Sequence, residues 1–252
     1  MSFDPFGDFA TEGYLRNVEK EKDLDIVKRL EHASFTTGLD EAFTALGRSR
    51  QFSYSDVLQT HGILFNAVYP WAGQDRLSIA PTLSVRKGPV IFANPSEIRP
   101  AVEFALRKAQ EKDYLRAHPG EIMGYLAFGH PFLDGNGRTI VTLFSALAQR
   151  AGFSVDWSAT DKDAYLDALT KEIDAPSRGH LDNYLGQFIR KPIAHEELAA
   201  QIIKAPGLDG RTPAGDENEV IGNVDAPEVK AQYEAMLQKR GKKNYVNQGP
   251  RQ

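Results

Sequence analysis

The stretch that decides the fold is IMGYLAFGHPFLDGNGRTIVTLFSALA, Ile122–Ala148. Ile122–Phe128 and Ile140–Ala148 are apolar almost all round, the pattern of helices at the centre of a fold rather than on its surface. Between them runs Gly129-His130-Pro131-Phe132-Leu133-Asp134-Gly135-Asn136-Gly137-Arg138, a polar, glycine-rich loop. Polar backbone in a buried connection must find partners, and such loops are where function concentrates. A lone GxG is an ordinary turn and a lone histidine an ordinary helix end. The whole string between two buried helices points to a site.

Outward from this pair the apolar period is three and four. Leu24, Val27, Leu30 and Ala33 form one stripe within Glu19–Ala33. Val57, His61, Leu64, Phe65 and Val68 form another, ended by Pro70. Helices also read at Pro95–Lys112, at Thr160–Ile173 with Thr160 as N-cap, at Gly179–Phe188 and at His195–Lys204. Arg76–Phe92 differs: its Leu, Ile and Val residues favour strands, and Pro81 and Lys87-Gly88-Pro89 supply turns. An all-α bundle with one short, exposed hairpin is expected. After Ala205 the charge separates, six acids against one base to Glu228, then six bases against one acid. This predicts a helical domain over 1–204 and, over 205–252, a flexible linker, a short helix at Glu228–Arg240 and a basic end.

Composition narrows the chemistry. Of 252 residues, 25% are charged and none is cysteine, which excludes disulfides, thiolate nucleophiles and Cys-ligated metals. A net charge of −4 gives no field for nucleic acid. With no leader-like N-terminus and no run of 18 apolar residues, the expectation is a soluble, cytoplasmic protein that needs no membrane. No His pair has the spacing of a zinc hydrolase, and no GxSxG, P-loop or dinucleotide fingerprint occurs.

The loop itself reads as a nucleotide-transfer site. It leads straight into a helix, whose first N–H groups and dipole attract phosphate. Arg138 adds a fork of donors. Asp134 repels phosphate directly but suits a Mg²⁺ bridging carboxylate and phosphates. His130 stands where an imidazole can accept a proton.

HPFLDGNGR also resembles the signature of Fic-domain proteins, His-x-Phe-x-(Asp or Glu)-Gly-Asn-Gly-Arg-x-x-Arg. Leu64–Arg76, LFNAVYPWAGQDR, is similar to that family's LFxxVYxWAGxxR segment, Arg76–Ile98 to its flap hairpin and following helix, and Ala151–Trp157 to the stretch after the motif helix. The likeness covers about residues 14–190. It implies an α-helical bundle with a β-hairpin flap (76–92) beside the motif loop (130–138), and transfer of AMP from ATP to a target hydroxyl with Mg²⁺. By the resemblance, His130 is the base, Phe132 the buried anchor and Asp134 the metal ligand. Gly135, Asn136 and Gly137 line the anion hole and Arg138 the β-phosphate, with Lys87 and Gly88 beside the nucleotide. Val85, Val90, Ile91 and Phe92 of the flap would pair with an extended target segment.

One position departs from the signature: Val141 replaces its second arginine, the γ-phosphate ligand and the partner of an inhibitory glutamate. The family's inhibitory pattern is also absent, since Thr37–Glu41 is followed by Ala42. The resemblance therefore implies no glutamate brake within this sequence. Control would fall to a separate small antitoxin, to low intrinsic activity, or to delivery into another cell as an effector. Two alternatives stay open: a degenerate Fic fold that binds nucleotide or partner without transfer, and an enzyme using UTP, GTP or a CDP-choline-like donor.

Overall fold

The computed structural model describes residues 3–176, 178–208 and 218–241. Its helices are α1 (Phe9–Glu12), α2 (Leu24–Arg48), α3 (Tyr54–Phe65), α4 (Arg76–Ile79), α5 (Pro95–Ala109), α6 (Lys112–Ala117), α7 (Pro119–Gly129), α8 (Asn136–Ala151), α9 (Lys162–Asp174), α10 (His180–Gly186), α11 (His195–Ile203) and α12 (Pro227–Arg240). The strands are β1 (Leu83–Lys87), β2 (Val90–Ile91), β3 (Ser154–Val155), β4 (Ile189–Arg190) and β5 (Glu219–Asn223).

Helix α7 is buried along its whole length, and α8 is buried at nearly every position. The two apolar stretches are the centre of the bundle. Helices α2, α3, α5, α9 and α10 surround them. Gly120 lets α7 approach α10, since a Cβ there would stand 2.3 Å from the Asp182 backbone nitrogen.

Local chemistry sets the helix ends. The Asp23 carboxylate accepts from Asp25 N and Ile26 N at the start of α2, and Ser53 with Asp56 forms a capping box on α3. Helix α9 is capped by Asp161, which accepts from Ala164 N at 2.8 Å, not by Thr160. The Thr160 hydroxyl is already spent on Trp157 O at 2.7 Å. Helix α3 stops at Phe65, ahead of Pro70, and the predicted helix over 95–112 breaks into α5 and α6.

The hairpin departs most from expectation. Strand β1 is central in an antiparallel sheet of order β2-β1-β5, with Arg86 opposite Ile91 on one side and Leu83 opposite Asn223 on the other. Its second edge is therefore paired, not open. Val85, Val90 and Phe92 are buried and Ile91 is half-buried. The hairpin carries its apolar side chains inward, where the bundle offers more contact than solvent does.

Residues 218–241, expected as part of a flexible appendage, are packed on the domain. Val224 N donates to Thr82 O at 2.8 Å beyond the end of β5. In α12, Val229 and Tyr233 are buried, and the Tyr233 hydroxyl bonds Glu97. The Arg240 guanidinium lies 3.7 Å over the Phe128 ring and bonds Ile173 O. Acidic, proline- and glycine-containing sequence hides this packing because backbone pairing and three buried side chains, Val229, Tyr233 and Arg240, not an apolar stripe, hold the segment. Residues 209–217 and 242–252, including Lys242 and Lys243 of the basic end, lie outside the described residues.

Candidate active site

The loop between α7 and α8 is held from below. His130 ends α7 in the left-handed conformation, φ +42°. The buried Arg76 donates from Nε to His130 O at 2.8 Å and from its second nitrogen to Ala93 O at 2.7 Å. It thus ties the loop to the root of the flap. Asn136 closes the loop on itself: Oδ1 accepts from Phe132 N at 2.9 Å and Nδ2 donates to Phe132 O at 2.7 Å. Its side chain is spent on the backbone, leaving its N–H to face an anion. Gly135 makes the turn at φ +77°, with a Phe65 ring carbon 2.6 Å from where a Cβ would stand. Only glycine fits there.

Phe132 is fully buried and stacks on His61 at 3.7 Å. The His61 Nδ1 accepts from Gly73 N at 2.9 Å, so the ring proton sits on Nε2, which donates to Asp134 O at 3.1 Å. Burial pushes its pKa down to about 3. A neutral imidazole therefore joins the WAG segment, the aromatic anchor and the motif loop.

The His130 ring lies flat against Phe92, with centroids 3.6 Å apart and planes at 9°. Its Nε2 is buried without a well-formed hydrogen bond among the described residues. Burial first, then Arg76 and Lys87, hold its pKa well below the usual histidine range. This imidazole is neutral at physiological pH, with a lone pair to offer. Asn218, just before β5, reaches the same spot, its Nδ2 donating to Leu133 O at 2.9 Å.

Beside it lies a buried charge cluster. The Asp134 Oδ2 accepts from Lys28 Nζ at 2.5 Å and from the Tyr14 hydroxyl at 3.2 Å, while Oδ1 accepts from Gly135 N at 2.7 Å. Glu31 takes Lys28 at 3.0 Å, the Tyr69 hydroxyl and one arm of Arg138. The other arm of Arg138, Nη1, is buried with no partner among the described residues. Burial opposes charge on all of Lys28, Asp134 and Arg138. Mutual attraction outweighs it, raising the pKa of Lys28 and Arg138 and holding Asp134 below the usual carboxylate range.

This arrangement does not fit a metal ion at Asp134. The Lys28 ammonium lies on Asp134 Oδ2 and the Gly135 N–H on Oδ1, so both carboxylate oxygens are already engaged and a divalent cation there would be repelled by the adjacent ammonium. Among the described residues no cluster of three or more His, Asp or Glu side chains could hold a metal instead.

Lys28, His130 and the loop from Asp134 to Arg138 open onto one cavity of about 380 Å³. His130, Lys28 and Asp134–Arg138 line one wall and Lys87, Gly88 and Val90 of the hairpin another, while α9 closes the far side with Tyr165, Leu166 and Leu169. Val141 contributes apolar surface to it. Phe132 stands behind the wall. Val85 is buried in the hairpin sheet, and neither it nor Ile91 borders the cavity.

A family model described as the Fic/DOC family matches residues 51–148, the span that runs from just before α3 through the flap to near the end of α8. The chain carries a Fic/DOC domain. It is 29% identical over 170 residues to the protein adenylyltransferase VbhT of Bartonella schoenbuchensis, covering 64% of this chain and 34% of that protein. It is 27% identical over 166 residues to the "Probable protein adenylyltransferase y4lH" of Sinorhizobium fredii, covering 62% and 82%. The chain thus spans about a third of the length of VbhT. The fold is similar to that of the BepC protein from Bartonella tribocorum with bound AMPPNP, at TM-score 0.59 and 17% identity, over 70% of this chain and 92% of that one. It is also similar to an N-terminal Fic domain of a Bep effector from Bartonella quintana, at TM-score 0.57 and 19% identity, over 70% and 88%.

The matched part of the Fic/DOC domain holds His130, the loop and the flap. Lys28 and Glu31 come from α2, and Asn218 from the segment before β5. Sequence reading missed all three, together with the role of His61. The one available sign was Lys28 and Glu31 at three-residue spacing on a stripe otherwise apolar.

Proposed function

We propose that this chain is a protein adenylyltransferase, moving AMP from ATP to a hydroxyl side chain of a target protein. The observation that carries this reading is the buried, neutral His130, its Nε2 without a well-formed hydrogen bond, beside a helix start and an Arg138 nitrogen that lacks an acceptor. A neutral imidazole with a lone pair and an anion-binding helix start stand next to each other in one cavity.

In this reading the α- and β-phosphates rest on the first-turn N–H groups of α8, from Asn136 to Arg138, and on Arg138 Nη1. The nucleobase lies on the apolar side, against Tyr165, Leu166 and Leu169, with Lys87 and Gly88 over it. His130 Nε2 takes the proton of the target hydroxyl. The oxygen attacks the α-phosphorus, the bond to the β-phosphate bridging oxygen breaks, and pyrophosphate leaves. Asn136 and Phe132 keep the loop in place while this happens. A target segment pairing with β1 takes the edge that β5 now fills, so residues 218–223 must move aside first.

The test is incubation of the full chain with α-³²P-labelled ATP, GTP, UTP or CTP and a cell lysate. Label from ATP on a protein band, absent with His130→Ala, is the expected result. No label above the His130→Ala control with any nucleotide sinks the reading. Val141 favours one second reading, a different donor, because an apolar wall stands where the family signature places an arginine. Mass spectrometry of the modified peptide separates AMP from UMP, GMP or phosphocholine.

A further inference from the structure

Asp134 poses an electrostatic problem: a carboxylate beside a phosphate site repels the ligand the site is built for. The family resemblance solves it with a metal ion, and the arrangement here does not fit one. Here the ammonium of Lys28 lies against the carboxylate instead. It is buried, in contact with Asp134 Oδ2 at 2.5 Å, anchored from behind by Glu31 Oε1 and Oε2 at 3.0 and 3.2 Å, and it borders the cavity.

We propose that Lys28 is a built-in counterion to the nucleotide phosphates, bridging Asp134 and the bound nucleotide so that nucleotide binds without a divalent metal. The proposal rests on the nucleotide-site reading above. Lys28 and Arg138 balance Glu31 and Asp134, so the four charges of the cluster sum to zero. An arriving diphosphate meets the unpartnered nitrogen of Arg138 and the α8 N-terminus, and one hydrogen of the Lys28 ammonium turns from carboxylate to phosphate. An ammonium carries three donors and can serve carboxylate and phosphate together. Glu31 keeps it from swinging into solvent. Lys28 is a positioning and charge-neutralising residue, not a group that reacts.

The experiment is calorimetric titration of the full chain with ATP, once in EDTA and once in excess Mg²⁺. The wild type is expected to bind in EDTA within about threefold of its affinity in Mg²⁺, a difference well under 1 kcal/mol. Lys28→Met is expected to lose about tenfold or more in EDTA and to recover much of it with Mg²⁺, because the freed carboxylate can then take the ion. Lys28→Arg keeps the charge and should keep metal-free binding. A merely structural lysine would weaken binding equally in both buffers. The proposal falls if the wild type loses tenfold or more on removing Mg²⁺, or if Lys28→Met in EDTA matches the wild type. Thermal melts confirm folding; should Lys28→Met not fold, the wild-type ratio and Lys28→Arg still decide. Absence of binding by ATP, GTP, UTP and CTP in both buffers brings down the nucleotide-site reading itself, whereas Mg²⁺-dependent binding brings down only the role of Lys28.

Discussion

Asn136 looks, in sequence, like a phosphate ligand, and in the fold it is the clasp of its own loop. Both hydrogen bonds of its side chain go to Phe132, its neighbour four residues back, in a buried setting. Asn136→Ala leaves an N–H and a C=O buried without partners, at about 1–3 kcal/mol for each group so stranded. A lower urea midpoint is expected, together with weaker nucleotide binding, because the first turn of α8 loses its anchor. Unchanged nucleotide affinity in a folded Asn136→Ala variant would contradict that coupling. His61 shows why part of the site is illegible at this scale. A single histidine on an apolar helix face reads as core, and its partners Gly73 and Asp134 are 12 and 73 residues away. His130, Asp134 and Arg138 are legible because they are neighbours in one string. Lys28 and Glu31 join them only through folding.

At the scale of elements, the helices were readable because a buried stripe repeats every three or four residues. The hairpin was readable as strands but not as a central strand, since nothing in Arg76–Phe92 says which edge another segment will take. That information lies more than 130 residues later, in a stretch with the composition of a linker. Strand β5 is held by little: backbone pairing, an exposed Arg86–Glu219 pair, the Val224 N to Thr82 O bond and Asn218 on Leu133. Exposed ion pairs contribute little. The double variant Asn218→Ala, Val224→Pro removes the two end fastenings and should release the strand while α12 stays docked through Tyr233 and Arg240. Amide exchange over Leu83–Lys87, read by mass spectrometry, is expected to rise by about tenfold or more. Transfer to a protein target should rise with it, since the edge of β1 and the approach to His130 open together. Unaltered exchange over those residues would mean that β5 does not guard the edge.

For the whole molecule, the two histidines at the centre set how stability depends on pH. His61 is held neutral down to about pH 3 by burial, and His130 is held well below its usual range by burial, Arg76 and Lys87. In the unfolded chain both titrate near 6.5. Above that pH neither state binds these protons, and the full stability is present. Below it the unfolded chain takes up protons that the folded protein refuses, so each histidine removes about 1.4 kcal/mol per pH unit. Where both are protonated in the unfolded chain and neutral in the fold, the two together remove roughly 2.7 kcal/mol per unit below about pH 6, a large share of a typical 5–15 kcal/mol. Asp134 acts in the same direction at lower pH, since its salt bridges are lost as the carboxylate protonates below the ordinary range. Urea unfolding of the wild type at pH 7.5, 6, 5 and 4.5 measures the combined slope. His130→Ala deletes one of the two groups, and its slope between pH 6 and 4.5 should be shallower by about 1.4 kcal/mol per unit while the onset near 6.5 remains. Equal slopes in the two proteins would show that the imidazole of His130 takes up its proton in the fold as easily as in the open chain, and the neutral base on which transfer depends would lose its physical footing.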